Sequence, residues 1–466
     1  MNIKLLQILI VAFLLLVFMS FCVEAQESQD TQGEQSEEKD KLREGWKTGI
    51  PIPAISFDQD MGFQYGLGLD LFDYGKPGIY PEYKHKFYLE WSRFTKGSGI
   101  NRIYYDSEYL IPKIRLTADV SYLTEEALQF FGFNGYDVVY NQEWEDDANP
   151  AYKSRAFYRH NRKIFRVLAN FQGNLLKNND RVKWIAGFAF FNTQVGSVDI
   201  EKLNKGKDED KQLPDEPGLY DKYVDWGIIK DEEKDGNTTT YLKGGLIYDS
   251  RDFQFFPSKG IWAEATFSYA PGFLGDKNFT YSKLTLVHRQ YFSLGSKNFV
   301  FAYRLGYQTT LSGTVPFHIQ PHIVPTFMTA ATSQGLGGAK TLRGIMRNRV
   351  VGDGIVLGNV ELRWKFLKTK LGKSDLYVGT NVFFDVGRVV KEIEVDYEYL
   401  RGVESPMGND QFQDYFDPGS ESLHPSTGLG LKIGYNENQI ISVDYGFALD
   451  KRDGKSGLYI RFYWLF

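Results

Sequence analysis

Arg343, in the glycine-rich stretch that holds Leu342-Arg343-Gly344-Ile345, is the residue of this chain best placed to do chemistry. Downstream, residues 356–366 alternate: Val356, Val360, Leu362, Trp364 and Phe366 fall on one face, and Asn359, Glu361, Arg363 and Lys365 on the other. Residues 376–386 repeat the pattern, with Leu376, Val378, Val382, Phe384 and Val386 opposite Asn381, Phe383 and Asp385. Successive strand side chains point to opposite faces, so Glu361 and Asp385 share the polar side of two strands. A planar guanidinium can fork to two carboxylates at once, and Gly344 lets the chain turn tightly beside it. The expected chemistry is electrostatic pinning of a loop, not turnover. Removing Arg343 would leave two inward acids uncompensated, at about 2–5 kcal/mol for a buried pair and less where water enters. Two readings stay open: a stabilising staple with no further role, or a lock that serves a mechanism.

Other reactive groups carry less. His318 and His322 stand four apart, a metal-ligand spacing only on a helix, and the prolines at 316, 321 and 325 exclude one. No metal or other cofactor is expected. No G-x-S-x-G is present, and no serine–histidine–acid set can be placed by strand parity, so the chain is not read as an enzyme. Cys22 is the single cysteine. It falls inside an export signal, so the mature chain would have neither disulfides nor thiol chemistry.

That signal sets the compartment. Lys4 supplies the positive charge, 5–21 the apolar stretch, and Val23-Glu24-Ala25 a small-residue cleavage site before Gln26. Phe21 is too bulky for a lipid-anchoring motif at Cys22. Residues 26–47 are acidic and nearly free of apolar side chains, which reads as a disordered tether. Fewer than about 25 residues then precede the first strand, whereas even small domains need roughly 50. No later segment has the uncharged apolar length of a membrane helix. The mean hydropathy of -0.37 averages an apolar outside with a polar inside. Aromatics make up 16%, with 30 Tyr and 36 Phe, as the interface girdles of a membrane barrel require. A net charge of -5 argues against nucleic-acid binding. The chain reads as an outer-membrane protein of a Gram-negative cell, in contact with lipid and lipopolysaccharide.

Residues 48–466 read as an all-β, sixteen-stranded antiparallel transmembrane barrel. The strands are expected near 50–57, 62–72, 84–94, 99–109, 113–123, 157–173, 181–197, 240–250, 260–270, 279–292, 297–311, 354–368, 375–387, 426–435, 438–449 and 457–466. Connections on the inner side are short. Those on the outer side include 124–156, 198–239, 312–353 and 388–425, the asymmetry of periplasmic turns and external loops. In the last strand Leu458, Ile460, Phe462, Trp464 and Phe466 form one apolar face. Phe462, Trp464 and Phe466 are the expected C-terminal barrel signal.

These motifs together resemble the BamA/TamA family of outer-membrane assembly and translocation barrels. Its sixth-loop motif is matched by Leu342-Arg343-Gly344-Ile345, with aliphatic Ile345 where the family has an aromatic. Its glutamate and arginine on the following strand are matched by Glu361-Leu362-Arg363, and its F-x-D-x-G by Phe383, Asp385 and Gly387. The turn from Asp249 through Pro257 to Gly260 is also typical. The resemblance implies a sixth external loop folded into the lumen, its arginine paired to both acids. It further implies insertion or translocation of outer-membrane or surface proteins. The family's periplasmic POTRA domains have no room here, so unfolded clients would come from a periplasmic or lipoprotein partner, or enter directly.

The seam between the first and last strands is the expected gate, because the first is short and holds Pro51 and Pro53, neither with a ladder donor. The rival reading is a passive porin or surface receptor, and a third is a scaffold for a lipoprotein. Gly428, Gly430 and Gly434 fall on one inward face, for loop clearance or for ordinary barrel bending. Acidic runs at 143–147, 208–216 and 231–235 lie on the external side, as solvated loop tips or as sites for divalent ions beside lipopolysaccharide.

Overall fold

The computed structural model describes residues 44–466, apart from 50, 55, 59–61, 77–78, 81, 325–334, 372–373, 436–438 and 463. The signal and almost all of the tether therefore lie outside the described residues. Alternation of apolar and polar side chains builds one antiparallel sheet of eighteen segments. The first three, Trp46–Thr48, Ile52–Pro53 and Ser56–Asp58, pair in turn with one neighbour: Trp46 faces Asp73, Ile52 faces Gly68 and Ser56 faces Gln64. They form a single interrupted strand, β1, so the described residues make sixteen strands.

The others follow in order: β2 (Gly62–Asp73), β3 (His85–Phe94), β4 (Gly99–Ile111), β5 (Ile114–Gln129), β6 (Arg159–Leu176), β7 (Asn179–Gly196), β8 (Thr238–Asp249) and β9 (Gly260–Ala270). After them come β10 (Tyr281–Ser296), β11 (Phe299–Gly313), β12 (Gly354–Leu371), β13 (Ser374–Lys391), β14 (His424–Tyr435), β15 (Gln439–Ala448) and β16 (Ser456–Phe462). Each pairs with its sequence neighbours, from β1–β2 through β15–β16. Among the described residues no ladder joins β1 to β16. No helix among them is long and apolar enough to cross a membrane.

Leucines 242, 246, 305 and 429 and Val382 stand exposed on the outer wall, while Arg102, Arg166, Glu264, Arg304 and Asp385 are buried inside. This is the apolar-out, polar-in division of a membrane barrel. The external connections 130–158, 197–237 and 392–423 come together with loop six, 314–353. Their aromatic residues, among them Phe130, Tyr223, Trp226, Phe317 and Tyr415, share one buried cluster that caps the external mouth. Trp226 meets Tyr415 edge-on at 4.9 Å, and Phe130 meets Tyr223 at 5.3 Å. Arg349 ties loop six to its neighbours, donating to the Gly135 carbonyl at 2.9 Å and the Arg452 carbonyl at 2.9 Å. The three acidic runs lie in these connections, where Asp147 pairs with Arg155, Asp208 with Lys211 and Asp231 with Lys234.

One expectation fails at the end of the chain. The last strand stops at Phe462, and Trp464 and Phe466 do not continue the outward apolar row of Leu458 and Ile460. Both lie buried inside the lumen. The physical reason is a cation on the inner wall: the Arg363 guanidinium sits 4.7 Å from each of their ring centroids.

Candidate functional site

The lumen lock is assembled from loop six and the inner faces of β12 to β16. Arg343 donates from Nε to Asp385 Oδ2 at 2.8 Å, from Nη2 to Asp385 Oδ1 at 2.9 Å, and from Nη1 to Glu361 Oε1 at 2.6 Å. Its backbone N–H donates to the same Asp385 Oδ2 at 3.1 Å. Arg343, Glu361 and Asp385 are all fully buried. The fork on Asp385 is bidentate, and a lysine could not reproduce it. Beneath the guanidinium the Phe383 ring lies 3.5 Å from Cζ, so one face of the cation meets a π surface while its edge meets the acids.

The spacing of Phe383, Asp385 and Gly387 has a physical meaning here, because all three face inward on β13. Phe383 supports the cation and Asp385 forks to it. A Cβ on Gly387 would come within 3.1 Å of Leu342 Cδ1 and 3.0 Å of Leu336 Cδ1, so glycine makes room for the loop's leucines. Leu342 and Ile345 pack in a buried cluster with Leu336, Val350, Ile355, Leu357 and Val389. The aliphatic Ile345 thus sits in an aliphatic nest.

Gly344 has φ +97, and a Cβ there would meet the Phe447 nitrogen at 2.5 Å and the Gly446 carbonyl carbon at 2.7 Å. The loop turn rests on the β15 backbone, and Gly446 answers with its own missing side chain: its Cβ would meet the Arg343 carbonyl carbon at 2.7 Å. The Tyr459 hydroxyl oxygen on β16 accepts the Gly344 N–H at 2.9 Å.

Asp444, Lys432, Arg461 and Arg304 escape the sequence reading, which places Arg363 on the polar face beside Glu361. Asp444 on β15 is a third carboxylate, 3.6 Å from Arg343 Nη1, and it pairs with Lys432 on β14 and Arg461 on β16. Arg363 donates to Glu361 Oε2 at 2.7 Å, so Glu361 is shared between two arginines. Arg304 donates to Asn359 Oδ1 at 2.7 Å and to the loop carbonyl of Lys340 at 3.0 Å. Strand parity carried the signal for Asp444, since Val443, Tyr445 and Phe447 lie on the opposite face. The inward glycines Gly428, Gly430 and Gly434 make room for side chains of the wall itself. A Cβ on Gly428 would strike the Phe383 ring at 2.5 Å, one on Gly430 the Asn381 amide oxygen at 2.5 Å, and one on Gly434 the Tyr377 ring.

His318 and His322 are buried in loop six, and no group of three potential metal-ligating side chains occurs among the described residues. Phe462 ends β16, and Trp464 and Phe466 beyond it lie in the lumen.

No curated protein matches the chain. Among solved structures, CdiB from Escherichia coli is similar at 10% identity with a TM-score of 0.52, over 89% of this chain and 61% of that one. This chain thus spans less than two thirds of that protein. BamA from Haemophilus ducreyi lacking POTRA domains 1-3 is similar at 15% identity with a TM-score of 0.49, over 90% of this chain and 70% of that one. The Omp85 superfamily domain matches residues 94–465, and the chain belongs to the Omp85 superfamily of outer-membrane barrels.

Proposed function

We propose that the barrel assists insertion or translocation of outer-membrane or surface proteins, receiving unfolded clients from a separate partner. It would reach the membrane by a cleaved export signal. The supporting observation is the seam. β1 is broken into pieces of three, two and three residues, and no described ladder closes it on β16. Pro51 and Pro53 lack the donors that pairing would need. Near the inner end Gly49 lies against the Gln439 side chain of β15, where β16 has left the wall. An unpaired strand edge is a template for another chain, and addition of a client strand there uses main-chain hydrogen bonds that no particular client sequence must supply. The Arg343 lock holds β12 to β16 together while the seam parts.

The test joins Gly49→Cys and Gln439→Cys with a short thiol crosslinker in reconstituted vesicles and follows insertion of unfolded barrel clients. Insertion should fall at least fivefold and return on cleavage of the crosslinker. Undiminished insertion by the joined form overturns lateral gating. Acute depletion in cells, followed by the outer-membrane proteome, should show selective loss of barrels or surface proteins. An unchanged proteome overturns the assembly role.

A further inference from the structure

On the inner side of the barrel the connection between β8 and β9 is unlike its neighbours. The turns flanking it span only 177–178 and 297–298, whereas this one runs over 250–259. Its stem is closed by hydrogen bonds. The Ser250 N–H donates to the Ile261 carbonyl at 2.8 Å, and Arg251 forks onto Asp249 at 2.8 and 2.9 Å. Asp252 Oδ1 accepts the N–H groups of Ser258 and Lys259 at 2.8 and 3.2 Å. Gly260 closes the ring at φ +103, where a Cβ would meet the Ser250 carbonyl oxygen at 2.3 Å. The spacing of Asp249, Arg251, Asp252 and Gly260, for which the lumen lock has no use, therefore builds a rigid stem. Arg251 lies 4.6 Å from the ring of inward-facing Trp262, so the stem leans over the lumen. The tip it carries is aromatic, with the Phe253 ring 4.5 Å from that of Phe256 and 5.6 Å from that of Phe255.

This tip does not lie along its own rim. β8 and β9 stand midway round the sheet, yet Phe255 meets Tyr83, in the connection leading to β3, at 6.2 Å, and Phe256 meets Tyr377 of β13 at 5.9 Å. Tyr83 is itself fixed: its hydroxyl donates to Asp106 of β4 at 2.6 Å and its ring packs on Phe72 of β2 at 5.6 Å. Lys365 of β12 sets its ammonium 3.5 Å from the Phe256 ring centroid. A bight of this length, going out and back, reaches roughly 17 Å from its rim, and partners on both flanks lean in to meet it. Contacts toward β3 and toward β13 can be made at once only by a segment that lies across the opening.

We propose that residues 250–259 form a strap that seals the inner mouth of the lumen against small hydrophilic solutes, and that it opens at the Phe255 and Phe256 contacts while its stem stays fixed. The division follows from the chemistry of the two parts. The stem rests on charged and main-chain hydrogen bonds, whereas the tip is held by half-buried rings whose contacts are individually weak. Release of the tip therefore leaves the wall intact. With the aromatic cap at the external mouth, the lumen has a closure at each end, and a seam that parts in the wall opens neither to solutes. The seal holds whether or not the seam parts, so it stands apart from the function proposed above.

Thr266, buried on the inner face of β9, reports entry to the lumen as Thr266→Cys in a full-length chain that also carries Cys22→Ser, which removes the single native cysteine. The refolded protein is labelled in detergent with a small charged methanethiosulfonate, and heat-modifiable gel mobility confirms folding. The F255A/F256A double variant should be labelled at least tenfold faster than its parent, with an unchanged urea midpoint. Phe273→Ala, at an exposed external tip, should leave the rate as it is. Replacing 253–257 by two glycines keeps the Asp252 cap and should quicken labelling equally, which preserves the test if the double variant fails to fold. Equal rates in the parent and in either folded variant overturn the seal. So does a fast rate accompanied by a lowered urea midpoint, because the strap would then be holding the wall and not the mouth. In planar bilayers, adding F255A/F256A to Trp226→Ala should raise the single-channel current at least threefold over Trp226→Ala alone, since the two closures stand in series. A current set by Trp226→Ala alone would again overturn the strap.

Discussion

Loop six is held at two levels by opposite chemistry. In the wall, Arg343 is fully buried and fixed by three side-chain hydrogen bonds to two carboxylates. At the external mouth the same loop contributes Phe317 to an aromatic cluster drawn from four connections. The ionic lock concentrates its free energy in a few full-charge contacts, so losing one partner strands the others in a dry place. The cap spreads its free energy over many weak contacts, and each loss stays near where it is made. The lock therefore specifies where the loop sits, and the cap closes whatever space remains.

The largest break expected is Arg343→Ala, which leaves Glu361 and Asp385 facing each other without their shared cation. It should lower barrel stability in urea by about 2–5 kcal/mol. Arg343→Lys should recover only part, because a point charge cannot fork to Asp385. A midpoint equal to the wild type for Arg343→Ala would mean that the lock carries no load.

Gly344→Ala should cost about 1–3 kcal/mol, since the new Cβ meets backbone atoms that cannot rotate away and φ is positive. Gly446→Ala tests the same contact from the β15 side, and the double substitution should cost less than the sum if the two glycines share one contact.

In the cap, Trp226→Ala should loosen the aromatic cluster locally and lower the urea midpoint of the barrel less than Arg343→Ala does. Trypsin should nevertheless cut the 197–237 connection sooner, and single-channel current should rise. A barrel destabilised as much as by Arg343→Ala would erase the distinction between the two closures.

The smallest effect is one of pH. Burial, with Arg162 and His160 nearby, holds His318 in loop six down at about 3. In the folded protein it is neutral at neutral pH, while in the unfolded chain it takes up a proton near 6.5. Its contribution is therefore present above about 6.5 and is lost as the pH falls below it. Protease resistance of the cap should be lower at pH 5 than at pH 8, and His318→Leu should narrow that difference. An unchanged difference would place the sensitivity elsewhere.

The two closures also differ in how far they can be read from the chain. Period-two alternation is local, so the strands, their polar faces and the inward placement of Glu361 and Asp385 follow from the order of residues alone. The strand extents expected for 62–72, 260–270 and 426–435 differ from the observed Gly62–Asp73, Gly260–Ala270 and His424–Tyr435 by no more than two residues at either end. The short turns on one side and long connections on the other were equally legible, because successive connections of an antiparallel sheet alternate between its two ends.

Tertiary structure decided what required two distant surfaces to meet. Asp444 carries an inward parity, yet its company with Lys432, Arg461 and Arg343 depends on register across three strands and a loop. Gly446 has no local reason to be glycine until the backbone of Arg343 and Gly344 rests on it. The aromatic cap joins residues from four connections with no shared periodicity. Trp464 and Phe466 continue the alternation of Leu458 and Ile460, but alternation says which side of a strand a residue faces only while the chain remains a strand. Where it leaves the sheet is set by the cation and the aromatic walls that receive it, and those belong to β10, β11, β12, β13 and β15.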